Sequence, residues 1–236
     1  MNEGKTKGRG RALAVGAVLT ISGLALGLLL SVVTVILLEL ASLGLESDPG
    51  ILALLVAGQL GFLFVAYLYL RRSVVSVNLS FDLDADDVKL ALKGVVAALV
   101  IATVGMGTMA LLGIMPESAI EDQAASLGFL VAFAVISTFL VAPIEEYLFR
   151  GAVQGRLRLS FGPWGAIIGS SAFFASVHVF NFVGPPITVI AGTLMIGLLG
   201  MVEGYLYERT GKLWVPIIAH AAYNLILIVV SIISIL

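Results

Sequence analysis

Six side chains in this sequence have the types and spacing for chemistry away from water. Glu145, Glu146 and Arg150 lie in EEYLFR, His178 closes FASVH, and His220 and Asn224 bracket HAAYN. The chain has 2 histidines, and both are in this set. A carboxylate in a low dielectric is a competent general base. A neutral imidazole can share that base's proton or hold its water. A His/Asn pair on one helix face can donate two hydrogen bonds to a developing oxyanion. Together these groups describe a water-activating amide hydrolase. The same atoms suit a metal: Glu145, His178 and His220 make a two-His, one-Glu zinc set with an open position, leaving Asn224 for the oxyanion.

Other hydrolase designs fit less well. There is no HExxH, and Cys is absent, which removes thiolate ligands, disulfides and a Cys nucleophile. No Asp lies inside an apolar span, so an aspartyl pair is excluded. The nearest approach to a serine elbow is Gly169-Ser170-Ser171-Ala172.

Helical spacing refines the set. His220 and Asn224 are i, i+4 and share a face, as do Phe174 and His178. Glu146 and Arg150 are i, i+4 with the acid N-terminal, the favoured sense. Glu145 points about 100° away from that pair, so it can face a cavity while Glu146 is held by Arg150. Taken singly, the glutamates also suit a cytoplasmic helix end, and each His or Asn an interhelical hydrogen bond. Glu39 and Glu203 are placed at span ends, in reach of water.

The elements that must carry these residues are membrane helices. Of 236 residues, 60% are hydrophobic and 12% charged, too few charges to cover a water-facing surface. A net charge of -2 offers no basic patch for nucleic acid. Seven stretches reach the ~20 apolar residues of a span: about 12–38, 51–70, 90–114, 126–149, 163–181, 186–207 and 213–236. The expected fold is therefore an all-α polytopic helix bundle. Gly105, Gly107, Gly197 and Gly200 can break the third or sixth helix, which makes eight spans the alternative count. The first apolar run, Ala12 to Leu38, is too long for a signal h-region of ~7–15 residues and reads as a retained anchor.

With the N-terminus in the cytoplasm, all 13 Lys and Arg fall on the inner side, the positive-inside pattern. The outer loops carry Glu46, Asp48, Glu117, Glu121 and Asp122. At ~1.5 Å per residue from the inner edge, Glu145 lies ~16 Å deep, His220 ~12 Å and Asn224 ~18 Å. His178, at ~24 Å, matches only if its helix is tilted or starts raised. The loop 73–89 holds Asp82, Asp84, Asp86 and Asp87 without the Gly and Glu of an EF-hand, and is expected to cap the third helix. Gly23/Gly27, Gly165/Gly169 and Gly200/Gly204 are expected at helix contacts.

EEYLFR resembles the EExxxR motif of the CPBP family, the CAAX proteases and bacteriocin-processing proteins also called Abi. FASVH resembles its FxxxH motif and HAAYN its HxxxN motif. GLLGMVEGYLYERTGKLWVPIIAH is similar to the run that joins the last two. The resemblance covers about 126–230, so residues 1–125 read as N-terminal membrane helices of unassigned role and 126–236 as a catalytic membrane core. It implies an intramembrane endopeptidase related to the Ras-converting enzyme, acting near the C-terminus of a membrane-associated protein or peptide, prenylated or not. It implies that Glu145 activates water with His178, that His220 and Asn224 form the oxyanion hole, and that Glu146 and Arg150 support them. Metal-free chemistry is favoured over zinc, and the site is expected to open to the cytoplasm and sideways to lipid. The rival functions are a non-catalytic immunity or scaffold protein and a proton-coupled transporter.

Overall fold

The computed structural model describes residues 3–119 and 126–236, with side chains from residue 8 onward. Glu121 and Asp122 lie outside the described residues, as do the side chains of Lys5 and Lys7. Among the described residues, seven helical stretches are long and apolar enough to cross a membrane: Gly8–Leu40, Asp48–Leu70, Ala85–Leu111, Leu127–Arg158, Pro163–Asn181, Pro186–Thr210 and Trp214–Ile235. The protein is a polytopic all-α bundle with the expected count. Gly105 and Gly107 lie inside an unbroken third helix, and Gly197 and Gly200 inside an unbroken sixth.

The first three helices are α1 (Glu3–Leu40), α2 (Asp48–Leu70) and α3 (Ala85–Leu111). The fourth span is a rod of α4 (Leu127–Ile136), α5 (Ala142–Glu146) and α6 (Gly155–Arg158), joined by π-helical turns at Ser137–Val141 and Tyr147–Gln154. Pro143 explains the first wide turn. Without an N–H it cannot continue the regular ladder, and the Ala142 N–H instead reaches the Ser137 carbonyl. Such insertions recur at functional sites. Then come α7 (Pro163–Val177), a 3-10 turn at His178–Asn181, α8 (Pro186–Thr210) and α9 (Trp214–Ile235).

The rod is central, touching α2, α7 and α9, while α1 packs along α2, and α3 lies on α8 and α9. Where α1 meets α2, a Cβ at Gly27 would sit 2.7 Å from the Gly58 carbonyl oxygen. Only glycine permits that backbone approach between α1 and α2. Gly200 and Gly204 also lie at contacts: a Cβ on them would meet Phe174 and Gln154 respectively.

The basic segments gather at one end. Arg9 lies over Phe161 at 5.5 Å, Arg158 pairs with Glu208 at 3.0 Å, and Trp214 Nε1 donates to the Leu79 carbonyl at 3.0 Å. The acids of 73–89 cap α3 as expected: the Asp84 side chain accepts from the N–H of Asp86 and Asp87, both at 2.9 Å. Asp87 also takes Lys212 Nζ at 2.5 Å, a hydrogen bond that holds the ammonium above its ordinary pKa. At the opposite end Ser126 donates to Asp48 at 2.6 Å, and β1 (Glu117–Ser118) pairs antiparallel with β2 (Phe182–Val183).

Candidate active site

The rod presents Glu145, Glu146, Arg150 and Gln154 to the bundle interior. Glu145 is 5% exposed, and the other three are fully buried. The expected Glu146–Arg150 pair forms, with Nε 3.1 Å from Oε2. The guanidinium reaches further, pairing with Glu203 of α8. Its Cζ stands 4.8 Å over the Phe174 ring.

α7 ends where its histidine is needed. His178 caps it and begins the 3-10 turn. Its Nδ1 lies 2.7 Å from the Phe174 carbonyl. A carbonyl only accepts, so Nδ1 carries the hydrogen, and in the neutral ring Nε2 is left as an acceptor. That Nε2 lies 3.8 Å from Glu145 Oε2. His178 therefore does reach the level of Glu145, which settles the depth mismatch.

From α9, His220 Nε2 lies 3.9 Å from the same Glu145 oxygen. Its Nδ1 meets Glu146 Oε1 at 3.0 Å and lies 3.7 Å from Glu203 Oε1. Asn224, one turn on, donates to Ser137 Oγ at 3.1 Å. Phe174 is the shared floor, its ring centroid 4.4 Å from that of His178 and 6.0 Å from that of His220.

A cavity of about 620 Å³ is bounded by Glu145, His178, His220 and Asn224 together with Leu24, Leu28 and Leu54. Ser170 and Ser171 are not in its wall, and Ser170 is tied to Gln154, so the serine alternative has no support here. Leu28 and Phe180 line the cavity yet are 60% and 67% exposed. This places a mouth on the lipid side, between α1 and the turn after α7. The expected opening toward the basic end has no counterpart in the cavity wall. The wall comes from the middle of the helices and from the halves nearer Asp48 and the β pair, and includes none of residues 63–132 or 146–173.

The geometry can now be set beside known proteins. Residues 127–226 match the type II CAAX prenyl endopeptidase Rce1-like family. All six side chains singled out in the sequence fall inside that match. Two proteins of Bacillus subtilis (strain 168) are similar over parts of the chain. The uncharacterized protein YpbD is 37% identical over 86 residues, 36% of this chain and 39% of its own. YdiL, whose name marks it as a candidate membrane peptidase, is 29% identical over 102 residues, 43% of this chain and 38% of its own. The chain thus spans less than two fifths of either relative. No solved structure matches. These matches support a membrane protease.

Two residues at this site escape the sequence reading. Glu203, expected at a span end in reach of water, is 4% exposed. α8 carries it inward against Arg150 and His220, which shield it. Gln59 of α2 donates from Nε2 to Glu145 Oε1 at 2.8 Å. Its signal was present, since it is the sole polar side chain between Ile51 and Ala66. An amide is uncharged, however, and a search for ionisable groups passes over it. Among the described residues, the acids and histidines close enough to share one ion are Glu146, Glu203 and His220. Arg150 already supplies the cation there. The Glu145, His178 and His220 set is looser, but it fits zinc in kind. Both Nε2 atoms face one carboxylate oxygen, and both Nδ1 atoms are tied back, as is usual for metal-bound imidazoles.

Proposed function

We propose that this chain is an intramembrane endopeptidase cleaving a peptide bond near the C-terminus of a membrane-associated protein, CAAX-type prenylated substrates included. The observation that carries the reading is the convergence of two histidine Nε2 atoms, at 3.8 and 3.9 Å, on Glu145 Oε2. Those separations are too long for direct hydrogen bonds and suit one water held between the three groups.

In this scheme Glu145 takes a proton from that water while the oxygen adds to the scissile carbonyl carbon. His178 Nε2 accepts the water's other hydrogen and so orients it. Asn224 Nδ2–H and His220 Nε2–H hold the oxyanion. Glu145 then passes its proton to the leaving amine. With Nδ1 against the Glu146 carboxylate, His220 donates from Nε2 only when its ring carries both protons. The cations Arg150 and His220 then balance the anions Glu146 and Glu203 in the buried network. Zinc held by Glu145, His178 and His220 would act instead as a Lewis acid toward the water. The balanced network and the paired donors of α9 favour the metal-free scheme. The N-terminus lies in the cytoplasm in this reading, and substrate enters through the lipid-side mouth.

The test is cleavage of prenylated and unprenylated CAAX peptides by protein purified in detergent. General-base catalysis contributes ~10²–10⁴-fold. Glu145→Gln should lose at least that much while keeping its thermal midpoint, and His178→Ala should also abolish cleavage. A near-full rate for Glu145→Gln would remove the general-base assignment.

A further inference from the structure

We propose that Gln59 is a positioning residue for Glu145, so that the active site extends beyond the Rce1-like segment into the N-terminal helices. The inference rests on the peptidase reading above and deepens it.

Gln59 stands in the apolar middle of α2, 6% exposed, and is outside residues 127–226. Its Nε2 is 2.8 Å from Glu145 Oε1. The amide's orientation follows from chemistry: a carboxylate oxygen only accepts, so the NH2 group must face it. Gln59 Oε1 is left buried without a hydrogen-bond partner among the described residues. A lone buried carbonyl destabilises, and leucine or methionine at this position would avoid it. The contact with Glu145 is what the glutamine provides in return.

The consequence for the carboxylate is geometric. Glu145 has two oxygens and a freely turning terminal torsion. Gln59 engages Oε1 from the α2 side, which leaves Oε2 facing His178 and His220 at 3.8 and 3.9 Å. Without that anchor the carboxylate can rotate, and the proton acceptor no longer stays aligned with the water. The helix α2, which otherwise only walls the cavity beside α1, thereby fixes the orientation of the general base.

The experiment uses the full chain in detergent with Gln59→Met, which keeps length and loses the donor, and Gln59→Leu, which loses it with a stiffer apolar side chain. Steady-state cleavage, thermal midpoint and labelling of Glu145 by a hydrophobic carbodiimide, read by mass spectrometry, are measured for each. The expected result for Gln59→Met is a kcat lowered about 10- to 100-fold, with KM within about twofold and the midpoint kept. Labelling of Glu145 should rise severalfold, because Oε1 is no longer engaged. A kcat within twofold of wild type together with unchanged labelling overturns the proposal. So does a loss that appears only as raised KM. Should Gln59→Met not fold, the same criteria apply to Gln59→Leu. A wild-type protein inactive on every peptide would remove the peptidase reading, and the labelling ratio alone would then decide for or against the Gln59 anchor.

Discussion

Glu146 Oε1 and His220 Nδ1 meet at 3.0 Å across the rod and α9. One carboxylate of the EExxxR motif thus grips the first residue of the HxxxN motif, while its other oxygen faces Arg150 at 3.1 Å. Glu146 is therefore more than a partner for the arginine. It fixes which nitrogen of His220 faces the cavity, and through that the direction from which an oxyanion can be held.

That contact raises the expected cost of losing Glu146. Glu146→Gln keeps the shape but weakens the hold on both cations. Supporting partners of this kind are worth about 10–100-fold in activity, so kcat should fall within that range. Breaking one side of a buried pair costs ~3–5 kcal/mol. Arg150 retains Glu203, so the loss of stability should lie at or below the lower end. Thermal unfolding in detergent beside peptide cleavage measures both. A variant as active as wild type would mean that His220 is oriented by Glu203 alone.

Much of this was legible in the sequence because the bilayer demands long apolar helices. The seven spans appear near their expected bounds, and the Glu146–Arg150 pair follows from i, i+4 spacing. What lay hidden were contacts between helices. Nothing in local spacing brings Gln59 to Glu145, or Glu203 to Arg150 and His220. These meetings depend on the glycine-lined approach of α1 and α2 and on the register of α8 against the rod. The π turns at Ser137–Val141 and Tyr147–Gln154 also break the simple helical count. Depth arithmetic counts residues along one helix and set His178 apart from Glu145, whereas their side chains lie 3.8 Å apart.

Arg150 bridges Glu146 and Glu203, fully buried and stacked over Phe174. Its planar fork meets two carboxylates at once, which an ammonium cannot do. Arg150→Lys should therefore destabilise the protein by about 1.5–3 kcal/mol for each charged hydrogen bond lost. Arg150→Leu should prevent recovery of folded protein, since it leaves two buried acids with His220 alone to share. Thermal midpoints and the monodisperse fraction after detergent extraction report this. A lysine variant as stable as wild type would show that charge alone suffices.

Zinc dependence separates the two chemical schemes. In the metal-free scheme, activity should survive prolonged chelation, and purified protein should carry zinc well below one equivalent. His220→Gln removes one oxyanion donor and should cost about 10²–10³ in rate, leaving measurable cleavage. Stoichiometric zinc that leaves with activity and restores it on addition would reverse the preference. His220→Gln would then lose metal as well as rate.

The side of the membrane at each end can be read directly, because the chain contains no Cys and single cysteines are clean reporters. Asp82, Glu46 and Glu117 are exposed, and acidic residues contribute little to orientation, so replacing them should not turn the protein over. Asp82→Cys sits at the end where Lys212 and Arg158 are paired, and should be shielded from an impermeant maleimide in intact cells. Glu46→Cys and Glu117→Cys should react. The same labels test the route to the site. Leu28 and Phe180 frame the mouth, and both lie nearer the Glu46 and Glu117 end than the Asp82 end. A substrate entering there meets Glu145 from lipid in the outer half of the bilayer. Leu28→Trp, filling that mouth, should raise KM severalfold with little change in kcat. Unchanged KM would place the entrance elsewhere, and labelling of Asp82→Cys alone from outside would invert the topology and put this mouth in the inner half of the bilayer.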